Sequence, residues 1–145
     1  MRLLPRAVAA AAVLLCAALA AGDAAAAKYA GSRQQPDANG NFGAPINSTV
    51  TMTQTGSKLK LASRDAGTGK RMTRTYAVVK DRTRVSVGGQ VRTRALELTG
   101  SFGNALGTVE VKTGGPLDGR MTWIRVEDAP NNQRHVASFE GFDTN

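Results

Sequence analysis

The chain has 145 residues, 19 basic against 11 acidic, for a formal net charge of +8, with a single cysteine, a single histidine and a single tryptophan. One histidine and one thiol exclude His/Cys metal clusters and leave Ser-His or Cys-His chemistry with one available base, so the composition points away from an enzyme and names no metal or cofactor. Length and composition suit one domain after a targeting segment.

Taken in chain order, the first element is that segment. Arg2 and Arg6 flank an unbroken apolar run, Ala7 to Ala21, followed by Ala25-Ala26-Ala27 as cleavage options. This is the pattern of a secretory signal peptide over 1–27, and it predicts a secreted or periplasmic protein with no membrane attachment after cleavage. Cys16 is preceded by Leu15, where a lipobox requires a small residue, so lipidation is not expected. From Lys28 onward the mature chain contains no cysteine, so its domain would rest on its core, alone or with oligomer contacts. Residues 28–39 are polar and read as a flexible tail, with the folded domain over 40–145.

Helical periodicity is absent from this domain. Short alternating runs read as strands at Asn41–Ala44, Thr49–Thr53, Lys58–Ala62, Thr73–Val79, Thr83–Val87, Val91–Thr99, Leu106–Lys112, Arg120–Val126 and Val136–Phe142. The breaks are Thr55-Gly56-Ser57, Ala66-Gly67-Thr68-Gly69, Gly88-Gly89, Gly114-Gly115-Pro116 and Pro130-Asn131-Asn132. Eight or nine strands joined by hairpins predict an all-β fold, a sandwich or an antiparallel up-and-down β-barrel. The glycine pairs precede no helix, which argues against a phosphate cradle.

Charge is uneven along the domain. Between Lys58 and Arg94 there are 11 Lys/Arg against Asp65 and Asp81. Few aromatic residues interleave with these charges, which speaks against nucleic acid and for a solvated basic face, as in Thr73-Arg74-Thr75 and Arg92-Thr93-Arg94. The last strand has a different character. Ala137, Phe139, Gly141 and Asp143 share one face, so an acid either ends the strand in solvent or stands at the rim of an apolar cavity.

Two segments, "GNFGAPINST" (Gly40–Thr49) and "WIRVEDAPNNQRHVASFEGFDTN" (Trp123–Asn145), resemble the opening and closing segments of avidin and streptavidin. That family opens with Gly-x-Trp, a spacer, Leu-Gly-Ser and a Thr-rich strand; here Gly40-x-Phe42 precedes Ile46-Asn47-Ser48. It closes with a Trp strand, a turn and a strand ending Gly-x-Asp; here the counterparts are Trp123 and Gly141-Phe142-Asp143. The resemblance implies an eight-stranded antiparallel barrel that binds biotin or a similar cyclic urea. Ser48 and Asp143 would hold the ureido group, and Phe42 and Trp123 would wall the pocket. Four further positions fall at or near family contacts: Ala44 in place of an Asn, Ser63 near a Tyr, Leu98 in place of a Trp, and His135 in place of the Trp that caps a neighbour's site. These changes imply weakened affinity. The resemblance also implies a homodimer or homotetramer, and an inward Trp123 would leave Ile124 and Val126 outside as interface residues. Asn47-Ser48-Thr49 is a glycosylation sequon, relevant in a eukaryotic host. The alternative reading is a secreted protein-interaction or inhibitor barrel using its basic outer face.

Overall fold

A computed structural model describes residues 26–37, 39–99, 106–128 and 134–144. It contains eight strands: β1 (Ala26–Gln34), β2 (Ile46–Thr55), β3 (Lys58–Asp65), β4 (Arg71–Val85), β5 (Arg92–Thr99), β6 (Leu106–Thr113), β7 (Arg120–Asp128) and β8 (Arg134–Asp143). Each pairs antiparallel with the next, and β8 returns to β1, so the sheet closes as an up-and-down barrel. The described residues contain no helix.

Period-two patterning accounts for the strands. In β2, Ser48, Val50 and Met52 are buried while the intervening Asn47, Thr49, Thr51 and Thr53 are not. In β3, Leu59, Leu61, Ser63 and Asp65 are buried. Completing the core are Tyr29, Tyr76, Leu96, Leu98, Val109, Met121, Trp123 and Phe139. Seven of the core side chains, Leu59, Leu61, Leu96, Leu98, Met121, Val50 and Val109, are essentially without solvent contact, so the waist of the barrel is filled rather than hollow.

Three expectations need correction. Residues 28–39 are not a tail throughout: β1 lies between β2 and β8, pairing Tyr29 with Val50 on one side and Asp143 on the other. Its inner face escapes an apolar scan because it carries Gly31 and Arg33 between the pairing partners. Conversely, Asn41–Ala44 is not a strand; it belongs to the β1–β2 connection, where Phe42 makes one isolated bridge to Pro36. Finally, Thr73–Val79 and Thr83–Val87 lie largely in one strand. β4 spans 15 residues and runs through Lys80-Asp81-Arg82 without a turn. Its first half pairs with β3 and its second half with β5, and a register shift between Val78 and Lys80 interrupts the β4–β5 ladder. β1 begins at Ala26, so it overlaps the expected cleavage point after Ala27 by two residues.

The seam between β1 and β8 is set by two glycines facing each other, Gly31 and Gly141. A Cβ on Gly31 would lie 1.9 Å from the Glu140 carbonyl oxygen, so only glycine permits this approach. A Cβ on Gly141 would meet the Phe139 ring at 2.7 Å, so this ring covers the gap that the missing side chain leaves.

Candidate ligand-binding site

The up-and-down order gives the barrel two unlike ends. The hairpin end gathers the β2–β3, β4–β5 and β6–β7 turns with the start of β1 and the finish of β8. The loop end gathers the β1–β2 connection and the β3–β4 turn; the other two connections there fall within 100–105 and 129–133, outside the described residues.

At the hairpin end the barrel opens into a basin of about 640 Å³, whose wall includes Tyr29, Met52, Gln54, Arg92, Arg94 and Val111. This is the size of a small-molecule cavity. Arg94 is held in place. Its Nε donates to Asp81 Oδ1 at 3.0 Å, and its Nη2 donates to Asp81 Oδ2 at 2.6 Å and to Gln54 Oε1 at 2.7 Å. The hydrogen bonds from Arg94 hold the Asp81 carboxyl below the usual carboxylate range. Reciprocally, Asp81 pushes the Arg94 guanidinium up. Arg92, two residues earlier on the same face, is exposed and makes no ion pair among the described residues. Burial, and then the charge of Asp143, raise the Tyr29 phenol above its ordinary value. Asp143 and Tyr29 border a smaller depression of about 230 Å³ that shares Tyr29, Val111 and Thr113 with the basin.

Toward the loop end the interior is polar and nearly full. Arg33 and Asp65 form a bidentate pair, Nε to Oδ1 at 2.7 Å and Nη2 to Oδ2 at 2.6 Å, with both side chains almost buried. Those hydrogen bonds outweigh burial and hold the Asp65 carboxyl below the usual range. Arg125 is buried, with its guanidinium carbon 5.3 Å from the Trp123 ring centroid and Nη1 2.8 Å from Met72 Sδ. The edge of the Tyr76–Trp123 pair is T-shaped, with centroids 6.2 Å apart at 85°. Ser63 Oγ lies 3.5 Å from the Met72 carbonyl oxygen, a long hydrogen bond. Two buried polar atoms lack a hydrogen-bond partner among the described residues: Ser48 Oγ and Trp123 Nε1. The cavity beside Trp123 is only about 10 Å³, no more than one water's room, and a second of about 40 Å³ lies between Arg33, Ser63, Asp65 and Met72.

The residues singled out in the sequence are therefore divided. Ser48, Ser63 and Trp123 face the interior toward the loop end, and Leu98 is part of the core. Phe42 is 57% exposed and, with exposed Ala44, lies in the β1–β2 connection outside the barrel wall. Asp143 does continue the inward face of Ala137, Phe139 and Gly141, but at the hairpin end, on the rim. The His135 backbone pairs with Glu127; its side chain lies outside the described residues. Phe42, Ser48, Trp123 and Asp143 thus do not surround one cavity.

No protein-family model, curated protein or solved structure matches this chain. The likeness to avidin and streptavidin rests on the two quoted segments alone.

Sequence reasoning missed the basin because Arg92-Thr93-Arg94 reads as a solvated outer face. The signal was present. Arg92 and Arg94 keep the parity of Leu96 and Leu98, so if the leucines fill the core the arginines must face inward with them.

Proposed function

We propose that this is an exported binding protein, not an enzyme, that takes a small anionic ligand in the basin at the hairpin end. One observation carries the reading: a cavity of ligand size is walled by two inward arginines of different status. Arg94 is already balanced by Asp81 and fixed by Gln54. Arg92 has no such partner among the described residues and offers a fork of donors suited to a carboxylate. Tyr29, Met52 and Val111 supply apolar wall beside it, so the favoured ligand has an acid group on an apolar body.

Biotin, which joins a carboxylate to an apolar chain and a cyclic urea, remains the first compound to try. In this reading its acid would meet Arg92, which is a different pose from the one the family resemblance implies. Calorimetric titration of the mature protein with biotin, and with straight-chain and aryl carboxylates, tests the proposal. Arg92→Ala should weaken binding by about 1.5–3 kcal/mol, the range for a hydrogen bond involving a charged group. Failure of every carboxylate to bind at millimolar concentration, or an unchanged affinity in Arg92→Ala, rules it out.

A further inference from the structure

The barrel's outward charges are sorted by sign. On β1–β4 the outward side chains include Lys28, Lys58, Lys60, Arg64 and Arg71, all exposed. None of these five makes an ion pair among the described residues. No carboxylate points outward from these four strands, since Asp65 and Asp81 both face the interior. The outward carboxylates with described side chains are on β5, β6 and β8, and each has a cation. Glu97 is 3.4 Å from Lys80, Glu110 is 3.8 Å from Arg84, and Glu140 is 2.9 Å from Arg120.

The arrangement is unfavourable for the isolated protein. Arg64 and Arg71 are direct cross-strand partners, a like-charge pair with no acid between them. Lys58, Lys60 and Arg64 run along the outward edge of β3 over roughly 20 Å, and Lys28 sits two strands away, about 10 Å to the side. Between the cations stand Thr49, Thr51, Thr53, Thr55, Thr73 and Thr75. Hydroxyls beside ammonium and guanidinium groups are the donor set that phosphate and sulfate oxygens take.

We propose that the outer face of β1–β4 binds an extended polyanion, a chain of phosphate or sulfate groups without stacking bases. The outward residues of β1–β4 include no aromatic side chain, so the platform on which single-stranded nucleic acids stack is missing. Among the described residues this wall also has no helix to enter a groove. This face is separate from the basin, and the proposal stands or falls independently of the ligand there.

The test is binding of the mature protein to long-chain inorganic polyphosphate and to dextran sulfate, which distinguish the two anion sources, with single-stranded DNA as a third probe. At low ionic strength one or both of the base-free polymers should bind. With all five cations engaged, log K against log salt should fall with a slope of about −3.5. Lys60→Gln/Arg64→Gln should lose at least tenfold in affinity, and Lys58→Glu provides a second variant should the first fail to fold. Arg84→Gln, which removes a cation already balanced by Glu110, should change affinity less than twofold. The idea is overturned if no polyanion binds, if Arg84→Gln loses as much as Lys60→Gln/Arg64→Gln, or if single-stranded DNA binds tenfold more tightly than both polymers.

Discussion

Gly31→Ala is the substitution that most directly tests how the barrel closes. The added Cβ would stand 1.9 Å from the Glu140 carbonyl oxygen and 2.5 Å from the Gly141 Cα, and both obstacles are backbone. Real Cβ contacts do not fall below 3.0 Å, so β1 and β8 must separate locally by at least 1.1 Å (3.0 minus 1.9). A ladder bond stretched that far from its usual ~2.9 Å is lost. Two such bonds flank the contact at a net ~1 kcal/mol each, and stranding their buried groups costs ~1–3 kcal/mol more, for a total of about 3–5 kcal/mol. Urea unfolding followed by far-UV circular dichroism measures this. The comparison variant is Gly67→Ala in the β3–β4 turn, where the new Cβ meets nothing within 4 Å and stability should change by less than about 1 kcal/mol. If Gly31→Ala came within 1 kcal/mol of the parent protein, the seam would not be as tight as argued.

Other substitutions probe the interior. Because the Asp65 carboxyl is held below its ordinary range by Arg33, its ionised form favours the fold. That contribution is complete above about pH 4 and is lost as pH falls through the lower folded-state value. Asp65→Asn should therefore flatten the acid limb of a stability–pH profile, at a cost at neutral pH at or below the low end of about 3–5 kcal/mol; an unchanged acid limb contradicts the assignment. Leu59→Ala should cost about 2–5 kcal/mol in denaturant unfolding, whereas Trp123→Phe, which removes an indole N–H without a partner, should cost about 1 kcal/mol or less. Equal losses would contradict this ordering. For assembly, we propose a homo-oligomer through the outward apolar residues of β7 and β8: Ile124 and Val136 are exposed and Val126 half-buried. Light scattering should then report more than one copy for the parent chain and a monomer for Ile124→Lys.

Much of the barrel was legible because burial follows parity. Thr-x-Thr outward and Val-x-Met inward on β2, or Met121-x-Trp123 on β7, need no tertiary information. β1 was not legible because its partners hide its pattern. Gly31 carries no side chain because the β8 backbone at Glu140 and Gly141 fills that space, and Arg33 faces inward because Asp65 meets it from β3, 32 residues later. β4 looked like two strands because Lys80-Asp81-Arg82 resembles a solvated turn; in fact Asp81 turns inward to Arg94 and the strand absorbs the irregularity as a register shift. For the candidate site, the inward faces of Ser48, Trp123 and Asp143 were readable, but their separation was not. Whether two inward residues share a cavity depends on which end of the barrel each strand points to, and that depends on counting the strands correctly from the first. The grouping of Phe42, Trp123 and Asp143 in one pocket came from the resemblance, and missing β1 left Phe42 standing for the first strand.

The placement of β1 between β2 and β8 also has a kinetic side. Every other neighbouring pair joins strands consecutive in the chain and can zip as a local hairpin, but the final pair brings Tyr29 to Asp143, and the Thr144 N–H to the Lys28 carbonyl at 3.0 Å. Until β8 joins the sheet, β1 and β7 are unpaired edges, open to the wrong partner. Closing this longest loop should be the slow step of folding. Since the two ends of the described chain meet in the finished ring, a circular permutant opened at Gly67, with the old ends linked, keeps every pair. It should refold faster only if the β1–β8 closure sets the rate.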